Sequence, residues 1–485
     1  MAVIHLSGAG ELDRATVGGK AWGINHMRSL GMPVPAAFVV TTDECLRHLE
    51  RDDLDPALAE GIRAAVAELA TEVGRGFGAA SRPLLVSVRS GAAQSMPGMM
   101  DSVLNLGLTS TTAAALAQES GDSAFVADLA RRFDEQFTRI VGAPPADDPW
   151  DQLEAAVRAV FSSWTSDRAR AYRAHHGIPE TGGTSVTVQA MVFGNLGADS
   201  GTGVLFTRDP RTGASAPFGQ WLPGGQGEDV VSGRFDALPL TELAAAQPAV
   251  HAQLLEAAAR LEAHARDVQD IEYTVQEGRL HLLQTRNAKR SPDAAIRLAV
   301  AMCTDGLITT EQAVARISAT QIEIVCRPRI DPAARAAATL LATGDPASPG
   351  VGRGMVALSY EEAETLDDNG TETVLVRPTT DPDDVPGMIL ATAVVTEVGG
   401  ATSHAAVVSR ELGTPCVVGC GLGTTEALKG RTVTVDGTTG EIFDGLLDVA
   451  PSAVDSPDLA TLTDWARRHG GVGTTPAQVF RSLAG

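Results

Sequence analysis

The sequence predicts an α+β protein of several domains. Three observations carry that expectation. The chain has 485 residues, more than one hydrophobic core organises. Segments with helical spacing of apolar residues alternate with short β-branched runs, and neither pattern dominates. A stretch rich in proline and glycine, Gly344-Asp-Pro-Ala-Ser-Pro-Gly-Val-Gly-Arg-Gly354, divides a long first part from a shorter second part.

In the first part, Thr16-Val-Gly-Gly-Lys-Ala-Trp-Gly23 reads as a glycine turn that presents Lys20 ahead of a helix ended by Gly31. A lysine in that position suits a phosphate group, although the residue alone is as well explained by an ordinary surface lysine. A helix over 57–73 carries Ile62, Val66, Leu69 and Val73 on one side, and a strand over 84–88 leads to Arg89. The next stretch, Ser95-Met-Pro-Gly-Met-Met-Asp101, reads as a flexible loop rooted at that arginine. Backbone N–H groups of such a loop can reach phosphate oxygens, and a plain surface loop is the other reading. Residues 110–180 are helical by pattern, with helices over 124–141 and 150–177. Strands follow over 184–191 and 203–207, then the loop Gln226-Gly-Glu228, then a helix over 251–266.

The first part ends in a predicted hairpin, with strands over 270–275 and 280–286 and a turn at Glu277-Gly278. Asp270 and Glu272 lie two apart, so they share one face; Gln284 and Arg286 do likewise on the return strand. Two acids, an amide oxygen and a guanidinium suit a divalent cation and a polyphosphate. One solvated polar face is the plainer reading of the pattern.

The second part alternates short strands, over 355–358, 373–377, 389–396, 416–418 and 432–436, with helices, and closes in a hairpin over 438–443. Its centre is Gly399-Gly-Ala-Thr-Ser-His-Ala-Ala-Val-Val-Ser-Arg410. Thr402 and Ser403 are both good N-caps. Ala405, Val408 and Leu412 share a helical face, while Gly413 and Pro415 end the helix. His404 therefore falls in the first turn, where N–H groups lack partners and the dipole is positive. That field lowers an imidazole pKa, keeps the ring neutral, and welcomes an anion placed on it.

Composition limits the classes available. The net charge of −22 argues against nonspecific binding to nucleic acid or anionic membranes. No apolar run approaches the ~18 residues of a membrane span, and no secretion signal is read at the N-terminus. Five scattered cysteines, Cys45, Cys303, Cys326, Cys416 and Cys420, predict no disulfide framework and a reducing cytoplasm. The pair Cys416 and Cys420 reads as small buried residues rather than metal ligands.

The run from Gly399 to Arg410 resembles the phosphohistidine signature of the pyruvate phosphate dikinase and phosphoenolpyruvate synthase superfamily. The run 16–45, the Ser95–Asp101 string and the Asp270-Ile-Glu-Tyr…Leu-Gln-Thr-Arg286 hairpin resemble the dikinase nucleotide domain. The resemblance implies an ATP-grasp nucleotide domain over 1–290 with its helical insert at about 110–180. It also implies a helical linker over 291–340 and a β/β/α swivelling phosphohistidine domain over 341–447. The helical tail over 448–485 resembles the lead-in to a phosphoenolpyruvate- and pyruvate-binding barrel, which the chain is expected to lack; a TIM barrel needs at least ~200 residues.

Site roles are implied in the same way. Lys20, Arg89 and Arg286 meet ATP phosphates, Gly98 approaches the γ-phosphate, and Glu228 binds the ribose. Glu272 and Gln284 hold Mg²⁺, with Asp270 at the metal or acting as a base. His404 takes the phosphoryl group, and Thr402 matches the threonine that regulates plant dikinases. In the dikinase pattern His404 accepts a pyrophosphoryl group with release of AMP. Phosphate then removes the terminal phosphoryl as pyrophosphate. In the synthase pattern water replaces phosphate; the Met-Pro-Gly-Met-Met loop favours phosphate. The acceptor expected is pyruvate on a separate barrel protein, or a specialised metabolite or antibiotic held by another acceptor-binding protein. A non-catalytic regulatory relic is the third possibility.

Overall fold

A computed structural model describes residues 2–51, 53–94, 96, 99–230, 235–326, 329–450 and 456–483. The chain forms two compact units. The first takes in Met1–Thr202, Pro223–Gly227 and Ile271–Arg286; the second takes in Gly203–Leu222, Glu228–Asp270 and Asn287–Gly485.

The first unit is built on an antiparallel sheet with strands in the order Val3–His5, Ala37–Val40, Ser185–Ala190, Val86–Gly91, Ser102–Leu106. The helix Arg14–Ser29 packs on it through Val17, Ala21, Ile24 and Met27. Asp13 caps this helix by accepting from the N–H groups of Ala15 and Thr16. The glycine turn expected before the helix is instead a kink inside it. Gly18 has φ 77°, and a Cβ there would stand 2.2 Å from the carbonyl oxygen of Gly91. Only glycine allows the helix this close to the strand.

The helical insert is four helices, Ser110–Ser120, Ser123–Val141, Pro149–Ser162 and Asp167–His176. The single helix expected over 150–177 breaks at Ser163–Thr165, a 3₁₀ turn, because the Ser166 side chain caps a new helix at Ala169 N–H. Phe125, Leu129, Phe133 and Phe137 recur every four residues on Ser123–Val141 and are all buried.

A second five-stranded sheet runs Leu238–Pro239, Phe218–Pro223, Gly201–Phe206, Gln269–Gln276, Arg279–Asn287. Its last two strands are the predicted hairpin, turned at Glu277 (φ 50°) and Gly278 (φ 74°).

The second unit holds an eight-stranded sheet in the order Leu340–Thr343, Glu441–Asp444, Thr432–Asp436, Val351–Ala357, Thr373–Arg377, Ala393–Thr396, Cys416–Val418, Asp345–Ser348. The four strands from Val351–Ala357 to Cys416–Val418 are parallel. Much of the Gly344–Gly354 stretch, read from sequence as a connector, is therefore strand. Gly352 and Gly354 are there for packing: a Cβ would lie 2.2 Å from Thr392 O or 2.3 Å from Glu372 O. The strand expected over 389–396 is shorter, Ala393–Thr396, because Pro386 suits the first turn of a helix, Val385–Leu390.

The helices expected as linker and as tail share one core. Ile296, Leu298 and Met302 of Pro292–Thr304 and Ile322 of Ala319–Val325 pack in one cluster with Leu462 of Pro457–Arg468 and Phe480 of Pro476–Leu483. The chain enters the eight-stranded sheet after Arg329–Ile330 and leaves it at Val449–Ala450, and these two short strands pair with each other. Leu462 is fully buried, so Leu462→Ala should cost about 2–5 kcal/mol of stability. Urea denaturation followed by circular dichroism will register this as a lower midpoint; an unchanged midpoint would mean the tail is not part of this core.

Candidate functional site

Two groups of residues anticipated from sequence come together, one in each unit. In the first unit Arg89 is the fourth residue of Val86–Gly91, inside the strand rather than at its end. Its Nη2 donates to Glu272 Oε2 at 2.8 Å and to Gln284 Oε1 at 3.4 Å. Burial drives the Glu272 carboxyl towards protonation, but the charges of Arg89, Arg286 and Lys20 outweigh it and hold the pKa below the usual carboxylate value. Period-two alternation along the hairpin aims Gln284 and Arg286 to one face. Lys20 reaches the group through the Gly18 kink, which sets its helix against Gly91, two residues beyond Arg89.

Lys20, Arg89 and Arg286 around the ionised Glu272 form a cationic centre in an acidic protein. Such a centre suits a polyphosphate. Among the described residues no three carboxylate, imidazole or thiol groups gather as a closed metal cage. Mg²⁺ commonly takes one or two carboxylates and draws its remaining ligands from substrate phosphates and water. The ionised Glu272 and the amide oxygen of Gln284 fit that donor set.

Gly98 lies outside the described residues, as do Ser95 and Pro97. Glu228 belongs to the 3₁₀ turn Gly227–Asp229, but its side chain lies outside the described residues. The far end of the expected loop is anchored: Met99 is fully buried, and Arg168 of the helical insert donates to Asp101 Oδ1 at 2.5 Å. Arg168 was not legible as a partner, because it lies 67 residues away.

In the second unit the helix His404–Leu412 begins at His404, with Ser403 as the cap accepting from Ala406 N–H. Gly413 ends it at φ 67°. His404 sits beyond the carboxyl end of the parallel strand Ala393–Thr396, the usual side for ligands in open α/β sheets. The next parallel strand, Thr373–Arg377, delivers Thr380, whose Oγ1 lies 3.3 Å from His404 Nδ1. Nε2 is closed off from solvent and has no hydrogen-bond partner among the described residues. Burial pushes the imidazole pKa down to about 4, against the opposing charge of Asp381.

Thr402 is buried and donates its hydroxyl to Gln220 Oε1. Arg410, six residues beyond the histidine, is fully buried and donates from Nη1 to the carbonyls of Ala401 at 3.0 Å and Ala347 at 3.2 Å. Its Nε and Nη2 have no partner among the described residues, and burial pushes its pKa down to about 10 despite the nearby Cys416 and Asp270. Asp270 is itself buried. The thiols of Cys416 and Cys420 are pushed up to about 11 and about 12 by burial. Thr380, Gln220 and Arg410 were not singled out by sequence reasoning. Arg410 ends the signature run and was visible there; the other two depend on which strands lie side by side.

Residues 56–239 match the family described as "Pyruvate phosphate dikinase, AMP/ATP-binding domain", and residues 370–440 match "PEP-utilising enzyme, mobile domain". The pyruvate, phosphate dikinase of Clostridium symbiosum is 38% identical over 93% of this chain and 59% of its own length. That of Rhizobium meliloti (strain 1021) is 38% identical over 96% of this chain and 60% of its own length. Pyruvate, phosphate dikinase 2 of Zea mays is 38% identical over 93% of this chain and 57% of its own length. The chain thus spans a little under two thirds of the length of these relatives. With the cationic Glu272 centre in one unit and the capped histidine in the other, the chain belongs to the pyruvate phosphate dikinase family, over its nucleotide-binding and mobile domains.

Proposed function

We propose that this chain catalyses the ATP- and Mg²⁺-dependent phosphorylation of His404 and hands the phosphoryl group to an acceptor. The observation that carries the reading is the state of His404. Its imidazole is neutral at pH 7, its Nδ1 is engaged by Thr380, and its Nε2 lacks a partner among the described residues. With the proton on Nδ1, donated to Thr380 Oγ1, the lone pair on Nε2 is free to attack phosphorus.

The nucleotide domain is read as an ATP-grasp domain. Lys20, Arg89 and Arg286 hold the phosphate oxygens and disperse charge as the phosphoryl group transfers. Glu228 accepts from the ribose hydroxyls, and Gly98 lets its loop approach the γ-phosphate. Bound Mg²⁺ would neutralise charge on the phosphates; Glu272 and Gln284 would hold it, with Asp270 on the same strand as a further metal ligand or base. In the dikinase sequence of steps, Nε2 bonds to the β-phosphorus, the Pβ–O bond to AMP breaks, and AMP leaves. The terminal phosphoryl then passes to inorganic phosphate, giving pyrophosphate and monophosphorylated His404. The phosphoryl then goes to an acceptor, read as pyruvate bound on a barrel domain or a separate barrel protein, with phosphoenolpyruvate as product.

A histidine that serves two stations has to move. The pairing of Arg329–Ile330 with Val449–Ala450 supports this, since the sheet domain enters and leaves through one narrow double connection.

Incubation with γ-³²P-labelled ATP and Mg²⁺, without phosphate, should label the wild type in an acid-labile, base-stable form and leave His404→Ala unlabelled. Equal labelling of both would end the reading. Arg89→Met should slow labelling about a hundredfold, the usual cost of one charge-stabilising donor; a rate within twofold of wild type would remove Arg89 from the site.

The burial of His404 also sets a pH dependence. A group whose folded pKa lies below its unfolded value near 6.5 loses stability for the fold as pH falls through that range. Its NMR ring signal, assigned by loss in His404→Gln, should not titrate between pH 8 and 5. A midpoint near 6.5 would contradict the neutral buried ring.

A further inference from the structure

We infer that Thr187 is a further nucleotide-binding residue, whose hydroxyl donates to a phosphate oxygen beside Arg89. The inference rests on the reading of the Arg89–Glu272 centre as the phosphate receptor, and every residue it uses lies in the first unit. The strand Ser185–Ala190 pairs antiparallel with Val86–Gly91. Thr187 stands directly opposite Arg89, with Ser185 opposite Gly91 and Gln189 opposite Ser87. Residues paired in this way share one face of the sheet, with Cβ atoms about 5 Å apart. Thr187 is thus the cross-strand neighbour of the arginine at the centre of the site.

Alternation along the strand separates this hydroxyl from its neighbours. Val186 and Val188 take the opposite face and are fully buried, while Ser185, Thr187 and Gln189 form a polar row, each 2% exposed or less. The outer two members of the row have partners in the fold. Ser185 Oγ reaches the carbonyl oxygens of Val17 at 2.6 Å and Gly91 at 2.7 Å, which ties the helix Arg14–Ser29 to the sheet. Gln189 Nε2 donates to the carbonyl of Pro35 at 3.4 Å. Thr187 Oγ1 is closed off from solvent and has no hydrogen-bond partner among the described residues. On the side away from Arg89 its cross-strand neighbour is Val39, whose side chain has no polar atom. A buried hydroxyl without a partner costs stability that a valine of the same shape would not. Valine suits a strand equally well, so the fold gives no reason for the hydroxyl.

A phosphate oxygen supplies that reason. The hydroxyl has one proton to donate, and phosphate oxygens accept. Arg89 Nη2 is held by the side chains of Glu272 and Gln284, contacts that an incoming phosphate can exchange for its own. As the guanidinium turns to the phosphate, the oxygens reach the register position it shares with Thr187. The hydroxyl then adds a neutral donor beside the charged one. Its direction is well fixed, because a β-branched side chain has few rotamers.

Two substitutions in the full chain test the inference by calorimetric titration with the non-hydrolysable analogue AMP-PNP and Mg²⁺, alongside urea denaturation. Thr187→Val removes the hydroxyl and keeps the shape; Thr187→Ser keeps the hydroxyl and removes the methyl group. Thr187→Val should weaken analogue binding about tenfold, the scale of one hydrogen bond to a charged group, with a urea midpoint equal to or above that of wild type. Thr187→Ser should bind within about twofold of wild type although its midpoint falls, since it keeps the donor and loses packing. A residue that only packs would give the reverse order of affinities, and that order overturns the inference. Magnesium tripolyphosphate, which has no nucleoside, should lose the same factor in Thr187→Val; a loss confined to AMP-PNP would overturn the assignment to phosphate. A wild type that binds the analogue no better than Thr187→Val removes Thr187 and leaves the reading of the Arg89–Glu272 centre standing. A wild type that binds neither ligand ends both.

Discussion

A neutral imidazole with one nitrogen engaged and the other buried without a partner among the described residues is the constraint around which the second unit is organised. Each requirement has a separate structural source. Burial keeps the proton off at neutral pH. Thr380 engages Nδ1, which leaves Nε2 as the nitrogen without a partner among the described residues. Ser403 caps the helix, which leaves the first-turn N–H groups and the positive end of the dipole near the ring. Arg410 braces the turn from below through the Ala401 carbonyl. Its charge is costly to bury, and burial lowers its pKa although Cys416 and Asp270 lie near.

The first unit solves the opposite problem. The chain carries a net charge of −22, yet the polyphosphate proposed for this site needs a positive receptor. The solution is local: Lys20, Arg89 and Arg286 surround one carboxylate, and their summed field overrides the desolvation of Glu272. An ionised acid within a cationic group does two things. It holds the guanidinium of Arg89 in a fixed direction, and it keeps an oxygen ligand available for a divalent cation. The Gly18 kink matters for the same reason, because a side chain at that position would push the Lys20 helix off the strand that bears Arg89.

Gln220 accepts from Thr402 and Lys289 pairs with Glu411 beside the histidine helix, and the chain enters and leaves the eight-stranded sheet through one pair of short strands. The parallel strands close on a core of Val374, Val376, Ala393, Val395 and Val417.

Much was legible in the sequence because it is written in neighbouring residues. Capping, glycine termination and helical spacing located the histidine at the start of its helix, and the strands Thr373–Arg377, Cys416–Val418 and Thr432–Asp436 fall where β-branched runs predict them. The hairpin alternation already aligned Gln284 with Arg286. Other features depended on distant residues meeting. Glycines 352 and 354 looked like a linker and are strand glycines pressed against Thr392 and Glu372, since the same residue serves freedom in one context and close packing in another. The Pro292–Thr304 helix and the tail looked like separate accessories, but both bury their apolar faces in one cluster. Thr380 beside His404 and Gln220 beside Thr402 follow from which strands are neighbours, and strand order is decided by the packing of the whole sheet rather than by any local run of residues.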